Sequence, residues 1–129
     1  MMKFSFSPNK SVGEIEFGFN RLEIRKILSG FKGEFKKNRF SKNTADEFEC
    51  CYVYYDINDK CNAVEFFAPS EICYSNKNLF ELNIQELKSL FPDMVEEYGN
   101  YYSKKYSVGI SFDENIIESI LVGCKDYYA

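Results

Sequence analysis

The chain has 129 residues, 45% of them hydrophobic and 18% aromatic, which is enough for a domain with a real core. A charged fraction of 28% and a net charge of −4 exclude wholesale disorder, and no stretch reaches the roughly 20 apolar residues of a membrane helix. Histidine is absent, which removes the commonest general base, every Ser-His-Asp or Cys-His arrangement and most zinc sites.

The opening MMKFSFSPNK has no apolar run of signal-peptide length and no lipid-attachment cysteine, so a cytoplasmic protein is expected. Residues 3–6 and 13–17 are weak strand candidates. The stretch FGFNRLEIRKIL (17–28) then predicts a helix. Asn20 is placed as N-cap, Glu23 completes a capping box, and Phe19 can staple onto Ile24. Ile24, Ile27, Leu28 and Phe31 follow helical spacing, and Gly30 and Gly33 are stop signals.

A basic run follows: Lys32, Lys36, Lys37, Arg39 and Lys42. Residues 1–42 hold ten Lys/Arg against four Asp/Glu, and the remainder holds six against sixteen. At pI 5.0 the run reads as a solvated loop rather than a nucleic-acid patch, and the acidic remainder favours a basic partner. Residues 47–51 predict a strand, and YVYYDINDKCNAVEFF (52–67) predicts a hairpin with a turn of Asp and Asn.

The helix signal then returns as FELNIQELKSLF (80–91). Asn83 and Glu86 make the second capping box, Leu82 the staple onto Leu87, and Leu87, Leu90, Phe91 and Met94 the apolar face; Pro92 constrains the end. A strand at 101–106 and a hairpin in VGISFDENIIESILVG (108–123) complete the chain. At an offset of 63 the helix starts share the pattern F-x-[FL]-N-x-x-E-[IL]-[RK]-x-[IL]-[LF], and the hairpins follow in the same order. The expected fold is α+β: a single domain over 1–129 built from two tandem helix-plus-antiparallel-strands units, about 13–67 and 76–123. They are expected to form one sheet with the helices packed on one face.

Strand parity assigns Val53, Tyr55, Ile110 and Phe112 to the helix-covered core. On the opposite parity stand Tyr52 and Tyr54 in the first unit, against Gly109 and Ser111 in the second. Large aromatics beside small residues predict a binding surface anchored by Tyr52 and Tyr54, with Glu65, Tyr101 and Tyr102 as further candidates. Leu121 on the same parity points to partial covering of that face.

No chemistry-bearing constellation stands out. The glycines fit neither a dinucleotide nor a P-loop pattern, and residues 56–65 lack the central Gly of a calcium loop. The five cysteines, an odd number without CxxC spacing, read as free thiols. The expectation is a protein without enzymatic activity, catalytic residues, metal or cofactor.

The tandem unit, EFGFNRLEIRKIL leading into strands and repeated as LFELNIQELKSLF, resembles the architecture of beta-lactamase inhibitor proteins, and related units occur in outer-membrane assembly lipoproteins. With FSFSPNKSVGEIEFG, CYVYYDINDKCNAVEFF and IESILVGCKDYY, the whole chain is also similar to small bacterial proteins associated with polymorphic toxin immunity. The resemblance implies a cytosolic immunity or inhibitor protein that blocks a toxin, with steric occlusion as the expected mechanism; the charge balance adds that the toxin is basic, and composition gives neither nucleic acid nor membrane as partner. The alternative is a small-molecule sensor holding its ligand in an aromatic pocket between the two units.

Overall fold

The computed structural model describes residues 3–129; Met1 and Met2, the start of the segment read for a leader, lie outside the described residues. The chain is mostly antiparallel sheet with two short helices. In order, the elements are β1 (Lys3–Ser7), β2 (Ser11–Val12), β3 (Ile15–Glu16), α1 (Arg21–Ile27), β4 (Phe31–Phe35), β5 (Ala45–Phe48), β6 (Cys51–Tyr55) and β7 (Cys61–Phe67). Then come β8 (Glu71–Tyr74), β9 (Lys77–Asn78), a 3-10 turn (Leu79–Glu81), α2 (Ile84–Leu90), β10 (Val95–Glu97), β11 (Asn100–Ser103), β12 (Val108–Asp113) and β13 (Ile116–Gly123). Among the described residues no helix is long and apolar enough to cross a membrane.

Both helix starts form as their sequences predict. The Asn20 side chain accepts from the Glu23 amide at 2.9 Å while the Glu23 carboxylate accepts from the Asn20 amide at 3.0 Å. Asn83 and Glu86 repeat this reciprocal pair at 2.9 and 3.1 Å. Each box satisfies two donors that the first turn leaves without partners.

The helices are shorter than the apolar spacing suggests. Leu28 is already extended, and Gly30 takes a left-handed φ of 78° while its backbone passes close to Glu49. A Cβ at Gly30 would lie 2.8 Å from that of Glu49, so the chain turns here only because glycine has none. Phe31 consequently opens a strand rather than closing the helix; of the basic run that read as a loop, Lys32 falls in β4, while Lys36, Lys37, Arg39 and Lys42 lie in the connection that follows it.

One large sheet has the order β10-β11-β12-β13-β7-β6-β5-β4, antiparallel throughout. Each helix is thus followed by a four-strand meander, and the meanders join where Ser119–Gly123 of β13 pair with Phe67–Ala63 of β7. The expectation of a single sheet with helices covering one face is corrected here: a second sheet exists, with the order β3-β2-β1-β8-β9. In it β1 pairs antiparallel with β2 and parallel with β8.

Dimensions explain the second sheet. Eight strands about 4.8 Å apart span roughly 34 Å, whereas a seven-residue helix is about 10 Å long. Two such helices leave much of an apolar face uncovered. The small sheet supplies Phe4, Phe6, Val12, Ile15 and Ile72 to the same core that receives Ile24 and Leu28 from the first helix region and Leu87 and Phe91 from the second. From the large sheet come Val53, Tyr55, Val64, Phe66, Ile110, Ile120 and Val122.

If the capping boxes act alike, Asn20→Ala and Asn83→Ala should each lower unfolding free energy by about 1 kcal/mol. Urea titration followed by far-UV circular dichroism measures both. A loss confined to one of them would show that the other helix is held by packing alone.

Candidate functional site

The face of the large sheet turned away from the core carries a row of side chains set by register. Glu47 pairs with Tyr52, Tyr52 with Glu65, Glu65 with Leu121, Leu121 with Gly109, and Gly109 with Tyr102. Tyr52 is the hub of an aromatic group, with ring centroids 4.8 Å from Phe35 and 4.7 Å from Phe67. Glu65 is fixed at the centre of the face: one carboxylate oxygen accepts from the Tyr54 hydroxyl at 2.5 Å and the other from Ser119 Oγ at 2.8 Å. Burial, reinforced by the Glu65 carboxylate, pushes the Tyr54 phenol well above its ordinary value, so it stays a donor.

Residues beyond β13 fold back over this face. Tyr128 stacks on Tyr102 at 5.2 Å, and its hydroxyl occupies the space where a Cβ of residue 109 would be. The Tyr127 ring lies against Gly123, at 2.6 Å from the position of a Cβ there. On either side of this tail runs an open groove. One, of about 360 Å³, includes Lys37, Thr44, Tyr54, Asn62 and Tyr127; the other, of about 400 Å³, includes Glu65, Tyr102, Gly109, Leu121 and Tyr128.

Of the residues expected at a binding surface, Tyr52, Tyr54, Glu65 and Tyr102 share this face. Tyr54 is only 9% exposed, with Lys37 Nζ 4.6 Å above its ring, so it supports the surface from beneath rather than projecting as an anchor. Tyr101 alternates to the other face and packs against Phe112 at 5.7 Å. The room expected at Gly109 is real but is filled by the chain's own Tyr128. Phe35 and Phe67 were not singled out by sequence reasoning. Phe67 shares the parity of Glu65, a usable signal; for Tyr127 and Tyr128 the signal was the pair of side-chain-free positions, Gly109 and Gly123.

A second feature, with no forewarning in the sequence, lies on the core side of the first meander. Asp46, fully buried in β5, accepts from Arg21 Nη1 at 2.8 Å, from Arg25 Nε at 2.9 Å and from the Tyr55 hydroxyl at 3.0 Å. Arg21 reaches Asp59 at 2.8 Å in the β6–β7 turn and the Thr44 carbonyl at 3.1 Å, and Arg25 reaches Glu34 at 2.9 Å. The guanidinium of Arg21 also lies 4.2 Å from the Tyr55 ring centroid. The hydrogen bond from Arg21 holds the Asp59 carboxyl below the ordinary carboxylate range, and that from Arg25 does the same for Glu34.

All five cysteines are free thiols. Cys50 and Cys51 share a hydrogen bond with sulfurs 3.6 Å apart; it brings the Cys50 thiol down to about 7, while Cys51 is pushed well up by the same bond and by burial. Among the described residues no group of three His, Cys, Asp or Glu side chains is placed to hold a metal ion. No known family model, curated protein or solved structure matches the chain.

Removing Asp46 would leave two guanidinium groups facing each other without their shared anion. Asp46→Ala should therefore cost about 3–5 kcal/mol, against about 1 kcal/mol for Tyr55→Phe, which removes one hydrogen bond; chemical denaturation of both variants decides this. The acid limb has a defined sign. Asp59 and Glu34 have folded-state values below their unfolded ones, so their contribution is fully present above about pH 5. It is lost as pH falls further, through the folded values. Thermal melts should show stability dropping below about pH 5, and Asp59→Asn should flatten that drop.

Proposed function

We propose that the chain is a non-enzymatic protein-binding module, and that it acts as an immunity or inhibitor protein, neutralising a bacterial toxin by steric occlusion in the cytoplasm. The observation that carries this reading is the outer face of the large sheet: a row of half-buried aromatics, Phe35, Tyr52, Phe67 and Tyr102, around a carboxylate fixed by two hydrogen bonds. Aromatics held rigid by packing are well suited to anchoring a partner, because little rotamer freedom is lost on contact. The two halves are read as tandem copies within one α+β domain, an arrangement that resembles the architecture of beta-lactamase inhibitor proteins.

The acidic residues that predominate after residue 42 support a basic partner, drawn in by long-range attraction and seated on the aromatic row. The grooves beside Tyr127 and Tyr128 are open rather than closed, which favours a protein surface over an enclosed small-molecule site.

The test is capture of the product of the adjacent gene by the purified chain, together with rescue of growth when the two are co-expressed. Tyr52→Ala should weaken capture about 30-fold, equivalent to the ~2 kcal/mol of an aromatic hot spot. Failure of both capture and rescue with the unaltered protein would sink the proposal.

A further inference from the structure

The two halves of the chain place corresponding side chains around one more position. In the first half, the start of α1, the strands β4, β5 and β6 and the β6–β7 turn enclose the Arg21 guanidinium. It lies against the Tyr55 ring, with Asp59 at 2.8 Å and Glu34 at 3.8 Å. In the second half, Ile84 stands where Arg21 does, directly after the capping asparagine.

Register carries the correspondence around the ring of residues. Glu96 pairs with Tyr101 as Glu34 pairs with Asp46, and Tyr101 pairs with Ile110 as Asp46 pairs with Val53. Phe112 lies two residues beyond Ile110, as Tyr55 lies two beyond Val53. The β12–β13 turn presents Glu114, as the β6–β7 turn presents Asp59. Together Ile84, Glu96, Tyr101, Phe112 and Glu114 line an open pocket of about 370 Å³. The aromatic ring and the two carboxylates persist; the cation they surround in the first half does not.

We propose that this pocket receives the guanidinium of an arginine side chain from the protein partner, in trans, where the first half seats Arg21 in cis. The proposal rests on the protein-binding reading above and gives the partner a chemical requirement. Phe112 offers a ring face for the cation, Glu96 and Glu114 offer carboxylates for its forked donors, and Ile84 offers an apolar wall for the alkyl stem. Glu96 and Glu114 take part in none of the ion pairs found among the described residues.

The replacement of Asp46 by Tyr101 fits this use. An empty pocket floored by a buried carboxylate would strand a charge, whereas a tyrosine floor leaves the empty state free of that cost. Lys88 Nζ already lies 5.5 Å from the Tyr101 ring, whereas no cation lies over the Phe112 ring among the described residues. A planar guanidinium stacks there better than a compact, strongly hydrated ammonium. Because Tyr101 and Tyr102 alternate across β11, a partner that grips the β10–β11 hairpin contacts this pocket and the outer face together.

The direct experiment is an NMR titration of the full chain with N-acetyl-arginine amide, and separately with N-acetyl-lysine amide. Saturable shifts of the Phe112 and Tyr101 ring signals at millimolar arginine probe, with at least threefold weaker binding of the lysine probe, are expected. Ile84→Arg should abolish them by seating its own guanidinium, and Phe112→Leu, which keeps an apolar side chain of similar reach, should weaken them at least fivefold. Absence of saturable shifts, or shifts that survive Ile84→Arg, would overturn the proposal. The probe needs no partner, so this outcome is separable from failed capture: capture lost with arginine shifts intact counts against the protein-binding reading and not against the pocket.

Discussion

The pairing of β7 with β13 is the contact on which the rest of the molecule depends. Each helix-and-meander unit alone is a four-stranded sheet with one apolar face and a helix about 10 Å long to cover it. Joined through five residue pairs from Ser119–Phe67 to Gly123–Ala63, the units expose a single continuous apolar face, large enough to hold the second sheet and both helices. The join also sets Glu65 directly beside Leu121, so the row of outer-face residues runs unbroken from one meander into the other.

Within that frame the halves solve one packing problem in two ways. Between helix start and meander, the first half places a buried carboxylate with two arginines, and the second places Ile84, Tyr101 and Phe112. A buried ion pair rarely gains stability over an apolar replacement of similar volume. What the polar version adds is direction: Arg21 bonds at once to Asp46 in β5, to Thr44 just before it and to Asp59 in the β6–β7 turn, so the helix start, the entry to β5 and that turn acquire one geometry. The long basic segment between β4 and β5 needs such a tether, since its counterpart in the second half is only the short turn between β10 and β11.

Local signals were legible in the sequence. Both capping asparagines, both hairpins and the inward parity of Val53, Tyr55 and Ile110 are properties of a few neighbouring residues, and the structure repeats them. The pairing of Phe4 with Ile72 was not legible: a parallel pair 68 residues apart leaves no local trace in two short strands. Nor was Asp46, which occupies an apolar parity and is admitted only because Arg21 and Arg25 arrive from a helix some twenty residues earlier. On the outer face, Tyr52 and Glu65 were reached from parity, while Tyr127 and Tyr128 were not, because residues outside any strand carry no period.

The side chain of Tyr128 in the space above Gly109 makes the protein its own ligand. Anything that docks at that position competes with a segment tethered a few residues away, at an effective concentration no free partner matches. Its apparent affinity is the intrinsic one scaled by the fraction of molecules with the tail lifted, so a closure worth about 2 kcal/mol weakens it roughly 30-fold. Changes in Tyr128 would therefore alter access to the space above Gly109 while leaving every residue of the sheet itself unchanged.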